Sequence, residues 1–151
     1  MFKREELIPA AEEILQQLPL PESLKKIKAE RDRLASEVIR GETDKLLLIV
    51  GPCSAHESKP VVDYVERLGK LNEKVKDKIV LVPRIYTNKP RTKGVGYKGM
   101  FTQPDPKSRE DILKGILTIR RLHIDAIGVS GLSAADEMLY PENYAYMEDL
   151  L

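Results

Sequence analysis

The stretch LLLIVGPCSAHE, residues 46–57, sets the fold class. Leu46-Leu47-Leu48-Ile49-Val50 is a continuous apolar run stopped by Gly51-Pro52. A run that short and that uniform predicts a central parallel strand with both faces buried, not an alternating edge strand. Cys53, Ser54 and His56 follow it at once. In parallel β-α architectures ligands bind beyond the carboxyl ends of the strands, so this turn is a candidate site.

Downstream, residues 59–76 return to helical spacing, with Val62, Val65, Leu68, Leu71 and Val75 on one face. Ile79–Val82 predicts a second apolar strand running through Pro83 to Tyr86; Pro83 has no N–H, so pairing is expected to weaken there on one side. Residues 87–107 hold three Pro, three Gly and five cations with no usable period. A loop of about 20 residues inside a compact domain is unusual and commonly functional. Ser108 reads as an N-cap with Asp111 three residues on, opening a helix through Leu122. The pattern leaves open whether Ile124–Val129 extends that helix or forms a strand. Gly131 is a plausible stop, Ser133–Leu139 a third strand, and 142–151 a last helix.

Upstream, Leu7, Ala10, Ala11, Ile14, Leu15 and Leu18 predict a helix over 3–18, with Pro9 marking a late start or a kink. Pro21-Glu22 suits the first turn of a second helix, which carries Leu24, Ile27, Leu34, Val38 and Ile39 and stops at Gly41. Its densely charged outer side fits either a solvated helix packed on a larger body or an oligomerisation or regulatory arm. Strands alternating with helices point to parallel β-α units, hence an α/β fold.

The 151 residues carry 25 Lys+Arg against 24 Asp+Glu, a net charge of +1. That balance argues against a nucleic-acid surface, which needs an excess of cations. One domain fits this length, whereas a complete (β/α)8 barrel takes about 250 residues. No window approaches the ~18 consecutive apolar residues of a membrane span. The N-terminus shows no signal peptide, so a cytoplasmic address is expected. With a single cysteine, Cys53, an internal disulfide is excluded, and with two histidines a His-rich metal site is excluded too.

Three polar clusters follow apolar strands: residues 51–56, then Arg84 with Lys89, Arg91, Lys93 and Lys98 among Gly94, Gly96 and Gly99, then Asp136-Glu137. Cations beside glycines suit a small phosphorylated or carboxylated ligand, because Arg offers a planar fork, Lys a point charge and Gly close backbone approach. The same stretch also fits a solvated basic loop or, less well, an RNA patch stacking on Tyr86, Tyr97 and Phe101. No GxxxxGK[ST] or GxGxxG occurs, so no nucleotide site is read. Cys53 fits a metal ligand, a nucleophile or a buried structural thiol. His56 fits a ligand-orienting group or polar surface; His123 fits a structural role.

Taken in order, IVGPCSAHE (49–57), VPRIYTNKPRT (82–92), GYKG (96–99) and GLSAADEML (131–139) resemble the class I 3-deoxy-D-arabino-heptulosonate 7-phosphate (DAHP) synthases. That family carries GPCS after its first barrel strand and R-x-Y-x-x-K-P-R-T after its second. A G-[WY]-K-G loop and a GLPAAGE-like strand follow. The resemblance implies an N-terminal helical extension (residues 1–43, an oligomerisation or regulatory arm) and a partial TIM-barrel domain (44–151) holding about the first three β/α units. It implies condensation of phosphoenolpyruvate with erythrose 4-phosphate, releasing phosphate, at the entry to aromatic amino-acid biosynthesis. Carried over residue by residue, Cys53 resembles the metal-binding cysteine. Arg84 and Lys89 match phosphoenolpyruvate contacts of catalytic importance. Lys89-Pro90-Arg91-Thr92 matches the stretch receiving erythrose 4-phosphate, and Lys98 and Glu137 match groups of the phosphoenolpyruvate pocket.

The resemblance further implies a divalent metal such as Mn2+, an aromatic amino-acid feedback effector and a homo-oligomer, with no nucleic-acid or membrane partner. Three positions depart from the pattern: the Lys93–Gly96 loop is one residue longer, Ser133 stands for a usual Pro, and Asp136 for a usual Gly. The family's other metal ligands, a His, a Glu and an Asp, come from later strands, so the chain alone is expected to be inactive. A non-catalytic regulatory or interaction module of the same family is the alternative.

Overall fold

A computed structural model describes residues 7–89, 96–138 and 141–151. Helix α1 (Ala11–Gln17) and helix α2 (Glu22–Ile39) lead into strand β1 (Leu46–Val50). Helix α3 (Ser58–Val75), strand β2 (Ile79–Pro83), helix α4 (Ile112–Ser130) and a 3-10 turn (Pro141–Tyr146) follow. β1 and β2 pair in parallel, Leu46 opposite Ile79 through Val50 opposite Pro83. The crossover is α3, whose apolar face (Val61, Val65, Leu68) packs against α4 and β2. None of the described helices is long and apolar enough to cross a membrane.

The core lies between α3 and α4. Val65, Ile119, Leu122, Ala126 and Ile127 meet Ile85, Met100, Met147 and Leu150 there. Helical periodicity runs unbroken through Ile124–Val129, which belong to α4, and Gly131 ends it in the left-handed region at φ 66°. The helix begins later than Ser108 predicted. Asp111 is the N-cap, its carboxylate accepting from Lys114 N–H at 2.8 Å, while Ser108 donates its hydroxyl to Asp105. A carboxylate at a helix N-terminus satisfies an orphan amide and meets the positive end of the dipole.

Other expectations are corrected. α1 starts at Ala11, so Pro9 marks a late start. β1 is not buried on both faces: among the described residues it pairs with β2 alone, and Leu46 (69%), Leu48 (45%) and Ile49 (52%) are exposed. The third strand reduces, among the described residues, to one parallel bridge between Arg84 and Ala135. In place of a last helix stand the 3-10 turn and further turns.

α2 packs on α4 and on both strands, and its polar residues make the ties. Arg31 Nε donates to Gly131 O at 2.8 Å, and Lys28 Nζ to Leu151 O at 3.1 Å. Ser133, where the resembling pattern has Pro, donates to Asp32 Oδ1 at 2.6 Å. Arg120 of α4 is fully buried. It donates to Leu18 O, Tyr146 O and Asp149, joining α1, α4 and the final turns.

Candidate functional site

The parallel pairing of β1 and β2 puts the turns that follow them on one side of the sheet. Arg84 N–H donates to Val50 O at 2.9 Å and Ala55 N–H to Tyr86 O at 2.8 Å, so the 51–56 turn lies along residues 84–86. Gly51 makes that approach possible: a Cβ there would stand 1.8 Å from Arg84 O. The third segment joins through Ala135, whose N–H donates to Pro83 O at 2.8 Å and whose carbonyl accepts from Ile85 N–H at 2.7 Å.

Four of the sequence-predicted residues meet there in two pairs. The Arg84 guanidinium bonds Glu137, donates to Pro52 O at 2.9 Å, and lies over the Tyr86 ring at 4.9 Å. Lys89 Nζ donates to Cys53 Sγ at 2.7 Å. Cys53 is exposed, which removes the buried structural thiol from its readings. Burial first, then the neighbouring Glu137 carboxylate, hold the Tyr86 phenol above its ordinary range. Both cations therefore face an anion or a thiol of the chain itself, and an incoming anionic ligand would compete with those partners.

Lys98 stands in a loop laid against this cluster. The Tyr97 ring meets the exposed His56 ring edge-on at 6.4 Å, and a Cβ on Gly99 would lie 3.7 Å from Lys89 O. Lys98 N–H donates to Gln103 Oε1 at 3.0 Å, and its side chain lines a shallow depression with Ser108 and Arg109. Pro90, Arg91 and Thr92 lie outside the described residues.

Sequence reasoning gave three participants no part in the substrate site. Tyr86 carried a signal, its place in R-x-Y-x-x-K. Gln103, whose amide also donates to Ser108 O at 2.8 Å, carried none. Asp136 was visible as a member of the Asp136-Glu137 cluster and as a departure from a usual Gly, with no role attached. Its side chain is fully buried and accepts from Thr87 N–H at 3.0 Å, from the Thr87 hydroxyl, and from Glu137 N–H at 2.7 Å. Burial pushes its carboxyl up to about 6, against the pull of those donors. His123, also fully buried, has Nε2 3.5 Å from Asp136 Oδ2. Burial and then the Arg120 charge push His123 down to about 3, so the imidazole is neutral and the contact is no ion pair.

The donor set does not fit a divalent metal by itself. Among the described residues no group of three or more His, Cys, Asp or Glu could hold one. Cys53 supplies one thiol, whereas catalytic sites take about three protein ligands.

A sequence profile of the DAHP synthetase I family matches residues 20–151. The tyrosine-inhibited phospho-2-dehydro-3-deoxyheptonate aldolase of Candida albicans is 38% identical over 117 residues, 78% of this chain and 31% of that protein. The Phe-sensitive phospho-2-dehydro-3-deoxyheptonate aldolase of Escherichia coli K12 is 35% identical over 146 residues, 97% of this chain and 41% of that protein. The solved structure of phospho-2-dehydro-3-deoxyheptonate aldolase from Francisella tularensis SCHU S4 superposes with a TM-score of 0.89 at 29% identity, over 100% of this chain and 44% of that one. The chain thus spans less than half the length of these relatives.

Proposed function

The chain belongs to the DAHP synthetase I family, and from that premise we propose that it carries substrate-binding residues of a 3-deoxy-7-phosphoheptulonate synthase. The reaction condenses phosphoenolpyruvate with erythrose 4-phosphate and releases phosphate. The observation that carries this reading is the meeting of Arg84, Glu137, Lys89 and Cys53 beyond the carboxyl ends of β1 and β2.

The roles follow from the chemistry of the groups. Arg84 presents a planar fork suited to a carboxylate or phosphate, and Lys89 adds a point charge. Together with Arg91, Thr92 and Lys98 they hold two anionic substrates near each other against their repulsion, a positioning effect that removes much of the entropic barrier. Glu137 occupies Arg84 until an anion displaces it.

Cys53 is a metal ligand in this reading, but one thiol does not hold a divalent ion, so these 151 residues bind substrate without turning it over. Residues 1–43 are an arm on a barrel portion of 44–151 and contribute to a homo-oligomer. An aromatic amino acid is the effector, in line with the names of the tyrosine-inhibited and Phe-sensitive relatives. The address is cytoplasmic.

The test combines NMR titration of the purified chain with phosphoenolpyruvate and an assay for DAHP with both substrates and Mn2+. Expected are shifts at Arg84 and Lys89 that disappear in Arg84→Ala, and no DAHP. Shifts elsewhere only, or none, would overturn the substrate site. Turnover that survives Cys53→Ala would overturn the role given to Cys53.

A further inference from the structure

The third segment meets the second by a single bridge, at Arg84 and Ala135. One residue further on, the Asp136 side chain makes the bonds that a longer ladder would have made. Its Oδ1 accepts from the backbone N–H of Thr87 and of Glu137, and its Oδ2 accepts the Thr87 hydroxyl. Thr87 lies two residues before Lys89. Glu137 is the partner of Arg84. Asn88 extends the network, its amide donating to Thr87 Oγ1 at 3.0 Å and its carbonyl accepting from Asn143 at 3.5 Å.

A fully buried carboxylate is an expensive way to close a loop. Here its partners within hydrogen-bond distance are neutral donors. A carboxylate meets this geometry in full, since its two oxygens take all three hydrogens that converge on it. An Asn keeps one oxygen for the two backbone N–H groups and turns the other arm into a donor toward Thr87 Oγ1, which has a second lone pair beside the one that Asn88 uses.

We propose that Asp136 is a positioning residue of the substrate site: its carboxylate ties the Thr87–Lys89 segment to Glu137, and so sets the spacing of Lys89 and of the Arg84–Glu137 pair toward one anionic substrate. The proposal rests on the reading of Arg84 and Lys89 as phosphoenolpyruvate contacts. Asp136 does not touch substrate. It acts through Thr87 and Glu137.

The test is NMR titration of the full 151-residue chain with phosphoenolpyruvate, in the wild type and in Asp136→Ala, Asp136→Asn, Thr87→Val and Arg84→Ala. Asp136→Ala weakens binding about tenfold, as expected for losing charge-assisted bonds that hold the binding groups. Asp136→Asn keeps one acceptor oxygen and recovers to within about threefold of wild type, and Thr87→Val, which keeps the backbone bond, loses about threefold. In ligand-free Asp136→Ala the Arg84 and Lys89 side-chain resonances shift, and in Asp136→Asn they return, a signature that a general loss of stability does not produce.

If the wild type does not bind, or Arg84→Ala binds as well as wild type, the substrate site falls and this proposal with it. If Arg84→Ala abolishes binding while a folded Asp136→Ala stays within twofold of wild type, the positioning role alone is overturned. Should Asp136→Ala fail to fold, Asp136→Asn and Thr87→Val decide, and wild-type affinity in both overturns it.

Discussion

Replacing Arg120 by Met tests the long-range tie among the end of α1, α4 and the final turns. The guanidinium is fully buried and makes five N–H···O contacts: 3.2 and 2.6 Å to Leu18 O, 2.6 Å to Tyr146 O, and 2.7 and 3.1 Å to Asp149. Burial pushes the Asp149 carboxyl up, but the Arg120 hydrogen bond and charge, with backbone amides, outweigh it and hold the group below its ordinary value. Methionine keeps most of the buried volume, so the cost is electrostatic. Removing one partner of a buried pair costs about 3–5 kcal/mol. The Asp149 side chain is 28% exposed and can recover water, which moves the cost to the low end of that range.

Arg120→Met should therefore destabilise by about 3 kcal/mol, or roughly 6–12 °C in Tm for a domain of this size. Urea unfolding followed by near-UV and far-UV circular dichroism measures it, with an unchanged m-value as the check on two-state behaviour. Adding Asp149→Asn should return about 1 kcal/mol, because the stranded carboxylate is gone. The folded pKa of Asp149 is depressed, so its contribution is present above its unfolded value, about 3.9, and is lost as pH falls through the folded one. Loss of under about 1 kcal/mol in Arg120→Met, or simple additivity in the double variant, would refute the argument that the pair is coupled and buried.

The buried Asp136 and His123 make opposite contributions to stability against pH. Asp136, raised to about 6, makes stability fall as pH rises from its unfolded value toward 6; His123, lowered to about 3, makes stability rise between about 3 and 6.5. Wild-type stability should stay nearly level from pH 4 to 6, His123→Leu should fall across that window, and Asp136→Asn should rise; parallel profiles for all three would refute the assignment. Gly51→Ala sets a Cβ 1.8 Å from Arg84 O and should part the end of β1 from β2. A loss of about 3 kcal/mol in urea unfolding, with faster exchange of the Arg84 amide, is expected. Ser133→Ala removes the 2.6 Å bond to Asp32 and should cost about 1 kcal/mol, an effect that should largely vanish when Asp32→Ala has already removed the acceptor in a double-mutant cycle.

Much of the local structure was legible in the sequence. The apolar run 46–50, the period of α3 and the Gly131 stop match the structure, because each depends on neighbours within a few residues, and the second strand starts at Ile79 as expected but ends at Pro83 rather than Tyr86. The site was legible as a place: strands in parallel must present Cys53, Arg84 and Glu137 on one side, and motif order then named the family. Capping was misread because Ser108 and Asp111 both suit an N-cap, and the choice depends on Asp105 accepting the Ser108 hydroxyl.

What the sequence determined alone, then, was the α/β alternation, the positions of the strand-end clusters and the family, since periodicity and motif spacing are properties of the chain itself. What the tertiary structure decided was which groups meet. Only folding brings Glu137 to Arg84, Lys89 to Cys53 and Thr87 to a buried Asp136, and only folding leaves Leu46, Leu48 and Ile49 of β1 exposed. The reason is physical: burial and hydrogen-bond partners come from residues remote in sequence, and no local pattern encodes the distance between them.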